Sequence, residues 1–248
     1  MRLLQARPKA RRDAGVFVVE GIRLAEEAVA AGWRSHLCLY TSDLNERGSA
    51  LLEGLRAAGT QVELVAEHVM KAASDTQSPQ GLLLVVEQQT LQLPQHLQRL
   101  LVLDHLQDPG NAGTLLRTAA AAGFDAVLLT EGSVDPFSPK VLRAGMGAHF
   151  RLPVITLTSD DVVELCRLHQ ITLWTASAQT GESCYETDLR SALAIVIGSE
   201  AHGVGAPLQA ASRKLHIPMP GGGESLNAAV AGAVLMFETV RQQTRPSP

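Results

Sequence analysis

The sequence predicts an α/β fold in two parts, a small α/β unit followed by a larger domain built on a parallel sheet covered by helices. Three observations carry this. Short apolar runs alternate with amphipathic stretches along most of the chain. The alternation breaks in a glutamine-rich stretch, residues 88–98, that contains Pro94 and reads as a linker. Beyond it the strand-like runs are apolar at consecutive positions (Leu100 to Leu103, Ala194 to Ile197), the mark of strands buried on both faces.

Before the linker, strands are expected near residues 16–20, 36–40, 61–65 and 82–86, with helices near 22–31, 46–58 and 67–73. Gly32 and Gly59 fall where helix C-caps belong. After it, a strand at 100–104, a helix at 114–122 ended by Gly123, and a strand at 126–130 form a right-handed βαβ unit. Further strands are expected at 152–156, 171–176, 194–198 and 215–218, and helices at 139–144, 160–169 and 225–242.

Composition bounds the function. The 248 residues are 46% hydrophobic, enough for a sizeable core, and no apolar run approaches the roughly 18 residues of a membrane span. The first residues lack a signal-peptide apolar region, so a cytoplasmic protein without a membrane partner is expected. Cys38, Cys166 and Cys184 lie far apart, without disulfide or zinc spacing, and read as inert thiols. A net charge of -4 argues against nonspecific coating of nucleic acid. The one cationic cluster is Arg2, Arg7, Lys9, Arg11 and Arg12, either a solvated, frayed terminus or a phosphate-contacting arm.

Three blocks join an apolar run to a glycine-bearing turn, the setting in which α/β proteins build small-molecule sites. The first is Asp108-Pro109-Gly110-Asn111-Ala112-Gly113-Thr114-Leu115-Leu116-Arg117, a turn and then a helix begun by Gly113 or Thr114. Arg117 either reaches past its apolar neighbours to solvent or faces the crevice at the strand ends, and Asn111 either stabilises its turn or serves a site. In the second, Ile197-Gly198-Ser199-Glu200-Ala201-His202-Gly203, Gly198 admits a close ligand. Glu200 is either a crevice carboxylate or a partner of a helix dipole. The third runs from Ile217-Pro218-Met219-Pro220 through three glycines to Glu224-Ser225-Leu226-Asn227. Ser225 reads as an N-cap of a small-residue helix or as part of a ligand-facing helix terminus.

Other chemistries fail on pattern. Gly145-Met146-Gly147-Ala148-His149-Phe150 matches a dinucleotide fingerprint at two positions only and follows a helix. There is no phosphate-loop, metalloprotease or serine-elbow motif, the histidines lack ligand spacing, and no metal site is expected.

The three blocks, in this order and spacing, resemble the signature motifs of the SpoU (TrmH-like) family of SPOUT-class RNA 2′-O-ribose methyltransferases. The ends of the first unit, Phe17-Val18-Val19-Glu20-Gly21 and Ser78-Pro79-Gln80-Gly81, resemble an L30e-like substrate-binding domain. The resemblance implies an L30e-like RNA-binding domain over residues 1–90, a linker over 91–99 and a SPOUT methyltransferase domain with a deep trefoil knot over 100–248. It implies S-adenosylmethionine as cofactor, held by Thr175, Ala176, Gly198, Ile217, Met219 and Leu226, and catalytic or architectural roles for Arg117, Asn111, Glu200, Ser225 and Asn227. It further implies a homodimer acting on RNA, ribosomal RNA ahead of transfer RNA, with a non-catalytic RNA-binding or assembly protein as the alternative. The chain departs from the pattern at Asn227-Ala228-Ala229, where many members carry Asn-Val-Ser.

Overall fold

The computed structural model describes residues 1–244. It divides into two compact units, Met1–Gln89 with Asp135–Arg151, and Thr90–Val134 with the chain from Leu152 onward. The last four residues of the expected catalytic domain lie outside the described residues.

The first unit begins with α1 (Arg2–Ala6) and α2 (Pro8–Ala14). There follow β1 (Val16–Glu20), α3 (Ile22–Ala30), β2 (Ser35–Tyr40), α4 (Glu46–Ala57), β3 (Gln61–Leu64), α5 (Glu67–Ala73) and β4 (Leu82–Glu87). The sheet order is β1-β4-β2-β3, antiparallel except for the β2/β3 pair. β1 and β4 are the most apolar segments of the unit and sit side by side, with Phe17, Val19, Leu82, Leu83, Leu84 and Val86 fully buried.

After β5 (Arg99–Asp104), α6 (Pro109–Ala121) and β6 (Ala126–Thr130) of the second unit, the chain returns to the first for α7 (Pro139–Gly145) and the short turn Ala148–Phe150. The expected catalytic domain has no such excursion. Aromatic packing explains it. Phe17 lies 4.9 Å from the Phe137 ring centroid and 5.9 Å from Trp33, whose indole N–H donates to the Phe150 carbonyl at 3.2 Å. Clustered aromatics bury large areas, and Phe137 and Phe150 of this segment complete the cluster around Phe17 and Trp33.

The same segment shows that part of the N-terminal cationic cluster is not frayed: Arg2 and Arg11 are bonded to the fold, while Arg7, Lys9 and Arg12 are exposed. Arg11 is buried, its Nε donating to Asp135 Oδ2 at 2.8 Å and its Nη1 to the Leu4 and Gln5 carbonyls. Arg2 donates to the Ala72 carbonyl at 2.8 Å. A buried guanidinium persists only when paired and hydrogen-bonded, and Asp135 with the two carbonyls satisfies that condition.

The second unit continues with β7 (Val154–Leu157), α8 (Ser159–Leu168), β8 (Thr172–Ser177), β9 (Glu182–Ser183), β10 (Leu193–Gly198), α9 (Ala206–Ala211), β11 (Arg213–His216) and α10 (Ala228–Thr244). Its sheet is parallel throughout, in the order β7-β6-β5-β10-β8-β11-β9. β5, β6 and β10 are buried almost completely, as consecutive apolar residues require when helices cover both faces. α10 packs on α6 and β10, and Gly232 permits the approach: a Cβ there would overlap Leu115 Cδ2.

Two helix starts differ from expectation. α6 begins at Pro109, not at Gly113 or Thr114, because Pro suits the first helical position and Asp108 caps it, its carboxylate accepting from the Asn111 amide at 2.6 Å. α10 begins at Ala228, and its cap is Asn227, whose Oδ1 accepts from the Ala229 and Val230 amides at 2.9 and 3.2 Å. Ser225 therefore is not the N-cap. No helix among the described residues is long and apolar enough to cross a membrane.

Candidate active site

β5 and β10 are adjacent parallel strands in a register that pairs Asp104 with Gly198, so the first and second blocks leave the sheet side by side at its carboxyl edge. The third block joins them through side chains. Asn111 Nδ2 donates to Glu200 Oε1 at 2.5 Å, and Asn227 Nδ2 donates to Asn111 Oδ1 at 3.0 Å. Because Asn227 also caps α10, one continuous chain of hydrogen bonds runs from Glu200 through two amides into a helix terminus. The Asn111 amide donates from Nδ2 and accepts at Oδ1, so it links the other two side chains.

The loop that carries Glu200 is held from both ends. Ser199 and Gly203 exchange backbone hydrogen bonds of 3.0 and 2.9 Å, and the His202 amide donates to Ser199 Oγ at 3.1 Å. Gly198 has to be glycine here, since a Cβ would overlap the Gly203 backbone. Beyond it, the Gly205 amide donates at 2.6 Å to Asp104 Oδ2, while Asp104 Oδ1 accepts from Thr130 Oγ1 at 2.6 Å. Asp104 is fully buried, and these bonds provide the partners that a carboxylate in that position needs. Asp104 escaped the sequence reading, although a lone carboxylate ending a wholly apolar strand was a signal for it.

A cleft of about 270 Å³ opens beside this network, bounded by the ends of β8 and β10, the 199–203 loop, the segment after β11 and the start of α10. Ala176, Gly198, Ile217, Met219 and Leu226 line it, as do Glu200 and Ser225. Ser177, Ala178, Ile197 and Ala231 are also in the wall. Thr175 is not. Its side chain is buried and its hydroxyl pairs with Ser212 Oγ at 2.6 Å, because alternation along β8 turns it away from its neighbour Ala176.

Asn111 and Asn227 stand behind the cleft wall as supports of Glu200. Arg117 lies apart from them. It is exposed on α6, has no ion pair or hydrogen bond among the described residues, and is not part of the cleft lining. Among the described residues that do line the cleft, Glu200 is the one charged side chain. Burial pushes the Cys38 and Cys166 thiols up to about 12 and Cys184 up to about 11, so none presents a thiolate near neutral pH.

The chain is similar to known proteins over nearly its whole length. Residues 98–237 match the sequence profile of the SpoU rRNA Methylase family, and residues 1–84 match that of the MRM3-like substrate binding domain. The chain is 31% identical to the 23S rRNA (guanosine(2553)-2′-O)-methyltransferase RlmP of Bacillus subtilis, over 92% of this chain and 90% of that one. It is 33% identical to the human mitochondrial rRNA methyltransferase 3, over 98% and 71% of the two chains. The SpoU methyltransferase AviRb of Streptomyces viridochromogenes, solved in complex with AdoMet, superposes with a TM-score of 0.90 at 25% identity, covering 98% of this chain and 96% of that one.

Proposed function

The chain belongs to the SpoU rRNA methylase family, and on that premise we propose that it transfers a methyl group from S-adenosylmethionine to a ribose 2′-hydroxyl of ribosomal RNA. The observation that carries the reading is the convergence of Asn111, Glu200 and Asn227, drawn from three distant blocks, beside one cleft.

The cleft suits the cofactor chemically. Ile217, Met219, Leu226 and Ala176 offer apolar contact to the faces of an adenine, and the backbone at 176–178 and 198–199 offers polar edges. With Glu200 in its wall and no cationic side chain, the cleft disfavours a polyphosphate and accepts a ligand bearing positive charge. When bound, S-adenosylmethionine supplies an electrophilic sulfonium methyl.

The protein's own contribution is alignment and charge. Asn111 holds the Glu200 carboxylate in one orientation, and Asn227 holds Asn111. The Arg117 guanidinium acts as a positive charge beside the ribose, stabilising the developing alkoxide or gripping the adjacent phosphate, and not as a base. Its absence from the cleft of its own chain supports a homodimer in which α6 of one copy serves the cleft of the other. The surface next to the cleft fits such a contact: Leu226, Val230 and Phe237 are 41, 49 and 51% exposed and recur on one side of α10 and its approach.

Three finer readings go with this one. Residues 1–90 bind the RNA as an L30e-like domain. The C-terminal segment forms a trefoil knot, a reading supported by the insertion of β10 between β5 and β8 and the packing of α10 on α6 and β10. The protein acts in the compartment that holds the ribosomes, the cytoplasm.

The test is incubation with methyl-labelled S-adenosylmethionine and unmodified ribosomal RNA, followed by alkaline hydrolysis. Label in alkali-resistant dinucleotides is expected. Cofactor binding by calorimetry without any label in RNA would leave the non-catalytic reading standing instead, and preference for ATP or NAD would reject the family's cofactor altogether.

A further inference from the structure

The first unit contains a second cavity, of about 280 Å³, that methyl transfer does not use. It lies among Gly21, the first turn of α3, the 76–80 loop and the end of α7. Two of these pieces are the sequence motifs ending in Gly21 and Gly81. The third is the Gly145-Met146-Gly147 run that failed as a dinucleotide fingerprint.

The backbone at this cavity is held in uncommon conformations. Gly21 has φ 95°, and a Cβ there would strike Gln80 Oε1 at 2.6 Å, so the Gln80 amide rests against bare backbone. Met146 has φ 47°, a left-handed conformation that non-glycine residues rarely adopt, and its side chain forms part of the cavity wall. Met146 and Leu24 make that wall apolar.

The polar groups divide into satisfied and spare. Glu20 is satisfied, accepting from the Thr76 hydroxyl and from the Asp75 amide at 3.2 Å. Glu27 binds Arg151 through Oε2, while its Oε1 has no hydrogen bond among the described residues. Arg143 donates to Asp75 from Nη2 at 2.7 Å, and its buried Nη1 lies 4.0 Å from Glu20 Oε2 but makes no hydrogen bond among the described residues. Arg23 is exposed at the rim without an ion pair among the described residues.

We propose that this cavity receives one unstacked base of the RNA substrate, and that the base is guanine. The inference rests on the RNA reading above. Single-stranded RNA is read by bases splayed into pockets, packed on their faces and hydrogen-bonded along their edges. Met146 and Leu24 supply contacts for the faces, the thioether being well suited to an aromatic ring. The spare groups select the edge. A carboxylate oxygen accepts from adjoining N1–H and N2–H groups, and a guanidinium N–H that makes no hydrogen bond within the protein donates to O6, which together describe guanine and no other common base. Arg23 would meet the flanking phosphate, whereas a phosphate inside the cavity would face two carboxylates.

Methyl-labelled methionine NMR of the full chain tests this, because Met146 lines this cavity and Met219 lines the other. The Met146→Gly variant, suited to the left-handed backbone, identifies the first signal. Titration with GMP should shift the Met146 methyl and leave Met219 in place, with AMP, CMP and UMP at least about tenfold weaker. Arg23→Gln and Glu27→Gln should each raise KM for ribosomal RNA roughly tenfold while leaving KM for S-adenosylmethionine unchanged. Equal shifts by all four nucleotides, or none, would overturn the guanine receptor. S-adenosylhomocysteine is the control: a Met219 shift with Met146 silent to nucleotides rejects the receptor and spares the methyltransferase reading, and a silent Met219 counts against the latter.

Discussion

Asn111 and Asn227 are separated by 116 residues of chain and share a hydrogen bond of 3.0 Å. Each amide is used at both ends: Asn111 donates onward to Glu200, and Asn227 accepts from the first amides of α10. The position of the cleft carboxylate thus depends on a helix start, a relation that neither block reveals alone.

Replacing Asn111 separates its two roles. Asn111→Asp keeps an acceptor for Asn227 but sets a carboxylate against Glu200, and Asn111→Ala removes both bonds. We predict that either lowers kcat roughly 10- to 100-fold, the effect of losing one hydrogen bond to a charged group, with the Asp variant the worse. Single-turnover methylation of ribosomal RNA would check it. Wild-type turnover in both variants would show that Glu200 needs no support.

Arg117 is exposed and has no partner among the described residues, so its removal should leave the fold alone. For Arg117→Ala we expect a stability change within about 0.5 kcal/mol and a turnover loss of roughly 100-fold or more, with cofactor affinity retained. Arg117→Lys should recover little, since an ammonium lacks the planar fork. Parallel loss of cofactor affinity in calorimetry would contradict the assigned role.

Gly232 tests the packing of α10 on α6. Adding side-chain bulk there drives atoms into Leu115 and then Ile197, so Gly232→Val should destabilise by about 1–3 kcal/mol despite glycine's poor helix propensity. Trimming the partner in Gly232→Val/Leu115→Ala should return part of that in a thermal melt. If the double variant is no better than the single one, the close approach is not what this glycine provides.

His149 gives the acid limb of stability. It is fully buried with neither ring nitrogen in a good hydrogen bond, and burial pushes its pKa down to about 4 against the weaker opposing pull of the Pro136 carbonyl and Asp135. A histidine whose folded pKa is depressed binds fewer protons folded than unfolded. Stability from this group is therefore complete above the unfolded value near 6.5 and is lost as pH falls to about 4, by about 3 kcal/mol in all. His149→Phe should flatten the stability profile between those limits relative to wild type. An unchanged difference across that range in urea titrations would reject the effect.

Local pattern revealed much of this protein because its sheets are made of residues whose neighbours agree. β5, β6 and β10 are apolar at nearly every position, and the blocks after β5 and β10 had to leave one edge of a parallel sheet. Where two residues of similar chemistry competed for one role, pattern chose the wrong one: Ser225 over Asn227 for the cap of α10. That choice depends on where the helix starts, as the placement of the Thr175 hydroxyl against Ser212 depends on strand alternation.

An α/β protein in two parts, with the residue types of its site, was readable from local pattern, because periodicity and turn chemistry act over a few residues at a time. Three-dimensional packing was needed to place Asp135–Arg151 in the first unit, to bury Arg11, and to join Asn111, Glu200 and Asn227 in one chain of bonds. Those arrangements are settled by which distant surfaces bury aromatic area and satisfy buried charge together, and contacts 89 to 124 residues apart leave no trace in local spacing.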